Sequence, residues 1–235
     1  EGEQQVTIKF IRACIIAIGA LAWIAPTHAE TVETAPGVTV TKKTFPAPIN
    51  EQPFFGFADK TPEQRKADAD FLADADKFGS RVAVFHAAIE RGWGHLERGD
   101  FSEAAKRFNQ AWLLAPERSP IYQGFAVIVA ARFGDLDYAE ELFRIALHQP
   151  EPRPTLKADY GRLLLKAKRP VEAKTILEQG VRDAPEFADG WASLGLARLQ
   201  TGDAAGACAA ASEAGKLKLS GQVVSDLVML KRQAA

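Results

Sequence analysis

The chain has 235 residues, with 29 lysines and arginines against 30 aspartates and glutamates and a formal net charge of −1. With 47% hydrophobic and 25% charged residues it has the balance of a globular chain, which excludes collagen-like and disordered classes. Near-neutrality gives nucleic acid no overall electrostatic hold, and two cysteines are too few for a disulfide scaffold.

In chain order, the first stretch reads as an address. Lys9 and Arg12 precede an uncharged run over 13–25, followed by Pro26-Thr27-His28-Ala29. This is the three-part pattern of a secretory signal peptide, with cleavage expected near Ala29; the run is shorter than the ~20 residues a spanning helix needs. The alternative is an uncleaved amphipathic or buried helix. Cleavage would remove Cys14 and leave Cys208 alone among alanines, as a small apolar filler. The mature chain is expected to be periplasmic or secreted. Residues 30–60 carry Pro36, Pro46, Pro48 and Pro53 and read as an extended, proline-rich arm or linker without a core of its own. Its tip, Phe54-Phe55-Gly56-Phe57, is expected to dock on the rest of the chain or, alternatively, on a partner.

Thr61-Pro62-Glu63-Gln64 is a helix start with a cap, an early proline and a glutamine placed to reach back. The helix should run to about Lys77. Asp68, Asp70, Asp74 and Asp76 form a solvated face rather than a calcium loop, since the loop glycine and closing glutamate are missing. Residues 61–84 thus give an extra helix and the entry to a repeated stretch that begins at Phe85.

From 85 to 219 one pattern recurs four times, over 85–118, 120–152, 154–187 and 188–219. Gly92, Gly99-Asp100, Ala104, Phe108, Ala111 and Pro116 mark the first copy; Gly134-Asp135, Ala139, Phe143 and Ala146 the second; Gly161, Ala173, Leu177, Gly180 and Pro185 the third; Trp191, Leu194-Gly195, Gly202-Asp203, Ala207 and Ala214 the fourth. A period of about 34 residues means a helix-turn-helix solenoid. Mid-helix glycines imply close approach of another element, and each Gly-Asp pair ends one helix and caps the next. Residues 220–235, with Val223, Val224, Leu227, Val228 and Leu230 on one side, are expected to form a capping helix over the last exposed core.

These residues resemble the tetratricopeptide repeat family, and the leader suggests an exported bacterial member. The resemblance implies an all-α, right-handed solenoid with an N-terminal extra helix and a C-terminal cap. It also implies a non-catalytic interaction module whose first helices line a concave groove, with no cofactor. In register, His86, Ile89, Trp93 and Leu96 fall at one end of that groove, then Ile121, Ile128 and Arg132, then Ala158, Arg162 and Lys166, then Ala192, Leu196 and Leu199. A protein or peptide partner with apolar side chains and an acidic or C-terminal carboxylate would suit this surface. Trp93 reads equally well as core, and the three basic residues as merely solvated. Ile89 and Trp93 stand where the family's carboxylate-clamp branch has lysine and asparagine, which disfavours that branch. The expected function is an interaction module of the bacterial cell envelope. The alternative is a structural adaptor whose contact is Phe54, Phe55 and Phe57. No catalytic triad, glycine-rich phosphate loop or metal spacing points to an enzyme or a metal site.

Overall fold

The computed structural model describes residues 30–78 and 80–217. The expected signal peptide and capping helix lie outside them. The helices are α1 (Pro62–Lys77), α2 (Arg81–Glu97), α3 (Phe101–Leu114), α4 (Ser119–Ile128), α5 (Leu136–Ala146), α6 (Leu156–Lys166), α7 (Pro170–Asp183), α8 (Ala188–Gln200) and α9 (Ala204–Gly215). From α2 onward they form four successive helix-turn-helix pairs that contribute to one main core, from Phe85 to Ala210, with a small second cluster of Ala192, Ala211 and Ala214 in the last pair.

The turns obey the local chemistry. Gly99, Gly134 and Gly202 adopt φ of 73°, 72° and 84°, and the aspartate after each accepts a backbone N–H three residues on, from Glu103, Tyr138 and Gly206. The third pair reaches the same geometry with Lys168 at φ 60°, and Pro170 opens α7. Thr61 and Gln64 complete the reciprocal cap of α1. The small residues receive large ones from the neighbouring helix. A Cβ at Gly161 would stand 2.3 Å from Leu177 Cγ, and one at Gly92 2.8 Å from the Phe108 ring.

Residues 30–60 depart from the expected linker. Thr31–Ala35 (β1) and Val38–Thr41 (β2) pair as an antiparallel hairpin, a short 3-10 turn lies at Ile49–Glu51, and a tight turn spans Pro53–Phe57. The prolines bound these pieces rather than dissolve them, and the β-branched run finds a partner strand. The chain is therefore mostly helical with a small β element. The hairpin gains its core from the repeats: Val38 and Val40 are buried, Trp112 Nε1 donates to the Thr34 carbonyl at 2.8 Å, and the Thr41 N–H donates to Glu141 at 2.6 Å. Phe45 stacks on Phe133 with centroids 4.2 Å apart, and Lys43 pairs with Asp135 at 2.6 Å.

The tip of the arm is strained and enclosed. Phe54, Phe55 and Phe57 all have φ 54° and Gly56 has φ 61°, a left-handed turn that disfavours non-glycine residues by roughly 1–2 kcal/mol each. What holds it is packing. Phe54, 2% exposed, sits among Trp112, Tyr122 and Phe125 with centroids 4.8–5.8 Å away. Buried Asn109 brackets the turn, accepting the Phe55 N–H at 3.1 Å and donating to the carbonyls of Asn50 and Gln52 at 3.1 and 2.8 Å.

Glu51 adds an acid-sensitive tie. Its carboxylate accepts from Arg132 and Ser102, each at 2.8 Å, and these bonds, Arg132 first, hold it below the ordinary glutamate value of 4.5. A lowered folded pKa contributes stability that is complete above the unfolded value and lost as pH falls through the folded one. Hydrogen-exchange protection over 45–57 should therefore weaken as pH drops below 4.5. In Glu51→Gln that protection should already be reduced at pH 7 and lose this component of its acid dependence; an unaltered pH profile would remove Glu51 from the tie.

Candidate functional site

On a face of α4 away from the arm, a cavity of about 290 Å³ opens between α4 and α6. Its apolar walls include Val127, Ala130, Ala131, Phe143 and Leu163, and its polar groups are Asp159, Arg162 and Lys166. α4 ends here in a π-helical turn, Val129–Phe133. Such a turn widens the helix and leaves carbonyls poorly paired. Lys166 Nζ donates to one of them, Ala130 O, at 2.6 Å, and makes no ion pair among the described residues. Arg162 reaches Asp189 on α8 at 3.1 Å. Asp159 accepts from Gln123 Nε2 at 2.8 Å. Burial pushes its carboxyl above the ordinary range, with Arg162 nearby working the other way. Gln123 is itself fully buried, and its Oε1 has no partner among the described residues. The cavity thus combines apolar walls with a guanidinium fixed by Asp189, a buried carboxyl and an ammonium held by a carbonyl but by no carboxylate among the described residues. No group of acids, histidines and cysteines suited to a metal occurs among the described residues.

The expected groove residues separate. Arg162 and Lys166 line the cavity. Ile89 and Ile128, 3% and 0% exposed, belong to the core, as does Ile121. Arg132 turns the other way, to Glu51 of the arm, because the π turn rotates the end of α4 out of the simple helical register. Trp93 is half-buried, edge-on to Phe108 at 5.9 Å, with the Arg153 guanidinium over its ring at 4.6 Å. His86 is exposed on α2. Leu196 packs at the last pair beside Ala192, Ala211 and Ala214. Phe54 is enclosed. Phe55 lies half-buried against Trp112 with Lys60 Nζ 3.4 Å from its ring centroid, and Phe57 packs on Phe54 at 5.4 Å. Sequence register missed Asp159, Val127, Ala130 and Ala131. The signal for Asp159 was a carboxylate three residues before Arg162, one turn away on the same helix.

The model of the tetratricopeptide repeat family matches residues 89–157 and 158–216, more than half of the chain. The chain belongs to the tetratricopeptide repeat family. No curated protein matches it. Among solved structures it is similar to one from a functional characterization of Pseudomonas aeruginosa pilF, with 25% identity and a TM-score of 0.55, covering 65% of this chain and 70% of that one. It is also similar to a chain of the APC/C hetero-tetramer Cut9-Hcn1, at 22% identity and a TM-score of 0.51, covering 62% of this repeat protein and 29% of the other. The second likeness is one of fold. As a tetratricopeptide repeat protein, the chain has the architecture of a protein–protein interaction module, and no helix among its described residues is long and apolar enough to cross a membrane.

Proposed function

We propose that this protein is a non-catalytic binding module of the bacterial cell envelope that takes a partner segment in the cavity between α4 and α6. The segment presents an apolar side chain to Val127, Ala131 and Leu163 and a carboxylate to Lys166 and Arg162. The observation that carries this reading is Lys166, an ammonium without a carboxylate beside an apolar floor. A carboxylate held there gains a charge-assisted bond that water alone would not replace. The envelope location rests on the signal-peptide pattern before Ala29. The adaptor reading requires Phe54 to leave its aromatic enclosure, which the docked arm disfavours.

The test is capture from periplasmic extract by the 30–235 chain beside its Arg162→Glu/Lys166→Glu variant, with retained proteins identified by mass spectrometry. A protein retained by the first and lost by the second, with helicity unchanged, supports the cavity. Identical retention by both would place binding elsewhere.

A further inference from the structure

The hairpin of the arm has a second edge. Lys42 N–H donates to the Glu30 carbonyl at 2.7 Å, and the register sets Thr41 opposite Thr31, Val40 opposite Val32 and Thr39 opposite Glu33. Antiparallel ladders alternate between pairs that exchange both main-chain bonds and pairs that exchange none. The 30/42 pair is of the first kind, so Val40 bonds inward to β1 while Thr39 and Thr41 turn their N–H and C=O groups outward. Thr41 shows the parity directly, since its N–H donates away from β1 to Glu141 on α5. Thr39 presents the same side of the strand two residues earlier, exposed and with nothing paired to it there among the described residues.

A cleft of about 690 Å³ lies beyond this edge, between β2 and α5, with Val38 and Thr39 on one wall and Asp137, Glu140, Glu141 and, as its one arginine, Arg144 on the other. That volume is within the usual range of ligand sites. The wall is not neutral. Glu140 is committed to Arg144 and Arg169, but among the described residues Asp137 makes no ion pair and Glu141 holds only the Thr41 N–H. An unpaired strand edge bordering a cleft with two uncompensated carboxylates is complementary to an extended, basic chain.

We propose that this cleft binds an extended peptide segment carrying lysine or arginine, which adds to β2 as a third strand. Main-chain bonds to the Thr39 N–H and C=O and to the Thr41 carbonyl set its register. Its basic side chains reach Asp137 and Glu141. The site is separate from the cavity between α4 and α6 and faces a partner of opposite charge. It does not depend on Arg162 or Lys166.

The test uses the whole chain and a fluorescein-labelled, end-blocked probe, Lys-Val-Lys-Val-Lys-Val-Lys, read by fluorescence anisotropy. Two control peptides replace lysine by glutamate or carry N-methylated valines. Thr39→Pro removes the outward N–H at an edge position, where proline is tolerated, and Asp137→Lys reverses the charge. Expected are saturable binding below about 1 mM and a loss of about tenfold or more in each variant. Neither control peptide should bind, and the Arg162→Glu/Lys166→Glu variant should bind as the parent does. Absence of saturable binding overturns the proposal. So does binding that survives Thr39→Pro or backbone methylation, which would reduce the site to a charged patch. If Thr39→Pro does not fold, the methylated peptide against the parent chain decides.

Discussion

Phe54→Ala is expected to release the arm from the repeats rather than to unfold them. Truncating a buried phenylalanine removes about 3–5 kcal/mol, and here the side chain also holds three left-handed non-glycine residues in place. Those residues disfavour the docked turn by roughly 1–2 kcal/mol each, so the aromatic enclosure is what keeps the turn formed. Without it, the arm keeps only such holds as Val40, the Trp112 bond and the Glu51 and Lys43 ties. Asn109→Asp should act in the same direction, since the carboxylate still accepts from Phe55 but faces the Asn50 and Gln52 carbonyls with no donor. Each buried group left unpaired costs about 1–3 kcal/mol. The measurements are hydrogen exchange over 31–57 and trypsin cleavage at Lys42 and Lys43. Protection should fall by orders of magnitude in both variants while α6 to α9 keep theirs. Parent-like protection in Phe54→Ala would show that the hairpin, not the aromatic tip, carries the docking.

Gly124→Ala should destabilise the repeat stack although it adds a better helix former. Its Cβ would meet three atoms of the Phe108 ring at 2.5–2.6 Å, and the same ring lies so close to Gly92 of α2 that a Cβ there would stand 2.8–2.9 Å from it. The ring has nowhere to retreat, with Trp93 and Phe125 edge-on beside it. Overpacking of this kind costs about 1–3 kcal/mol, against up to ~1 kcal/mol gained from helix propensity. A melting temperature lower by several degrees is expected, at roughly 2–4 °C per kcal/mol for a chain this long. Gly94→Ala is the internal control. Its Cβ meets only the Arg98 guanidinium, at 3.5 Å, so it should leave the melt unchanged or raise it. Phe108→Leu added to Gly124→Ala should recover part of the loss. Equal melts for the two alanine variants would contradict the pinned ring.

Much of the architecture was legible in the residues. A 34-residue recurrence of small positions, Gly-Asp turns and large partners such as Phe108 and Leu177 fixes both the helix pairs and what fills them, because each depends on contacts local in sequence or one repeat away. The same holds for the Thr61–Gln64 cap. The arm was not legible in the same way. Its prolines and β-branched run are compatible with a linker, and only the surface offered by Trp112, Asn109, Tyr122 and Phe125, more than fifty residues later, makes a hairpin and a left-handed aromatic turn stable.

The site shows the same division. Arg162 and Lys166 line one cavity, as register on the regular helix α6 brings them to one face. Register did not reveal that Arg132, in the π turn, reaches Glu51 of the arm or that Ile128 packs into the core, since both follow from packing across the chain. The sequence by itself determined the repeat, its caps and its small-to-large pairing, which are set by spacing and local conformational preference. The tertiary structure decided which basic side chains share a cavity, which one is used up by Glu51, and which edge of the hairpin is left open, because each depends on which surfaces meet after the helices have stacked.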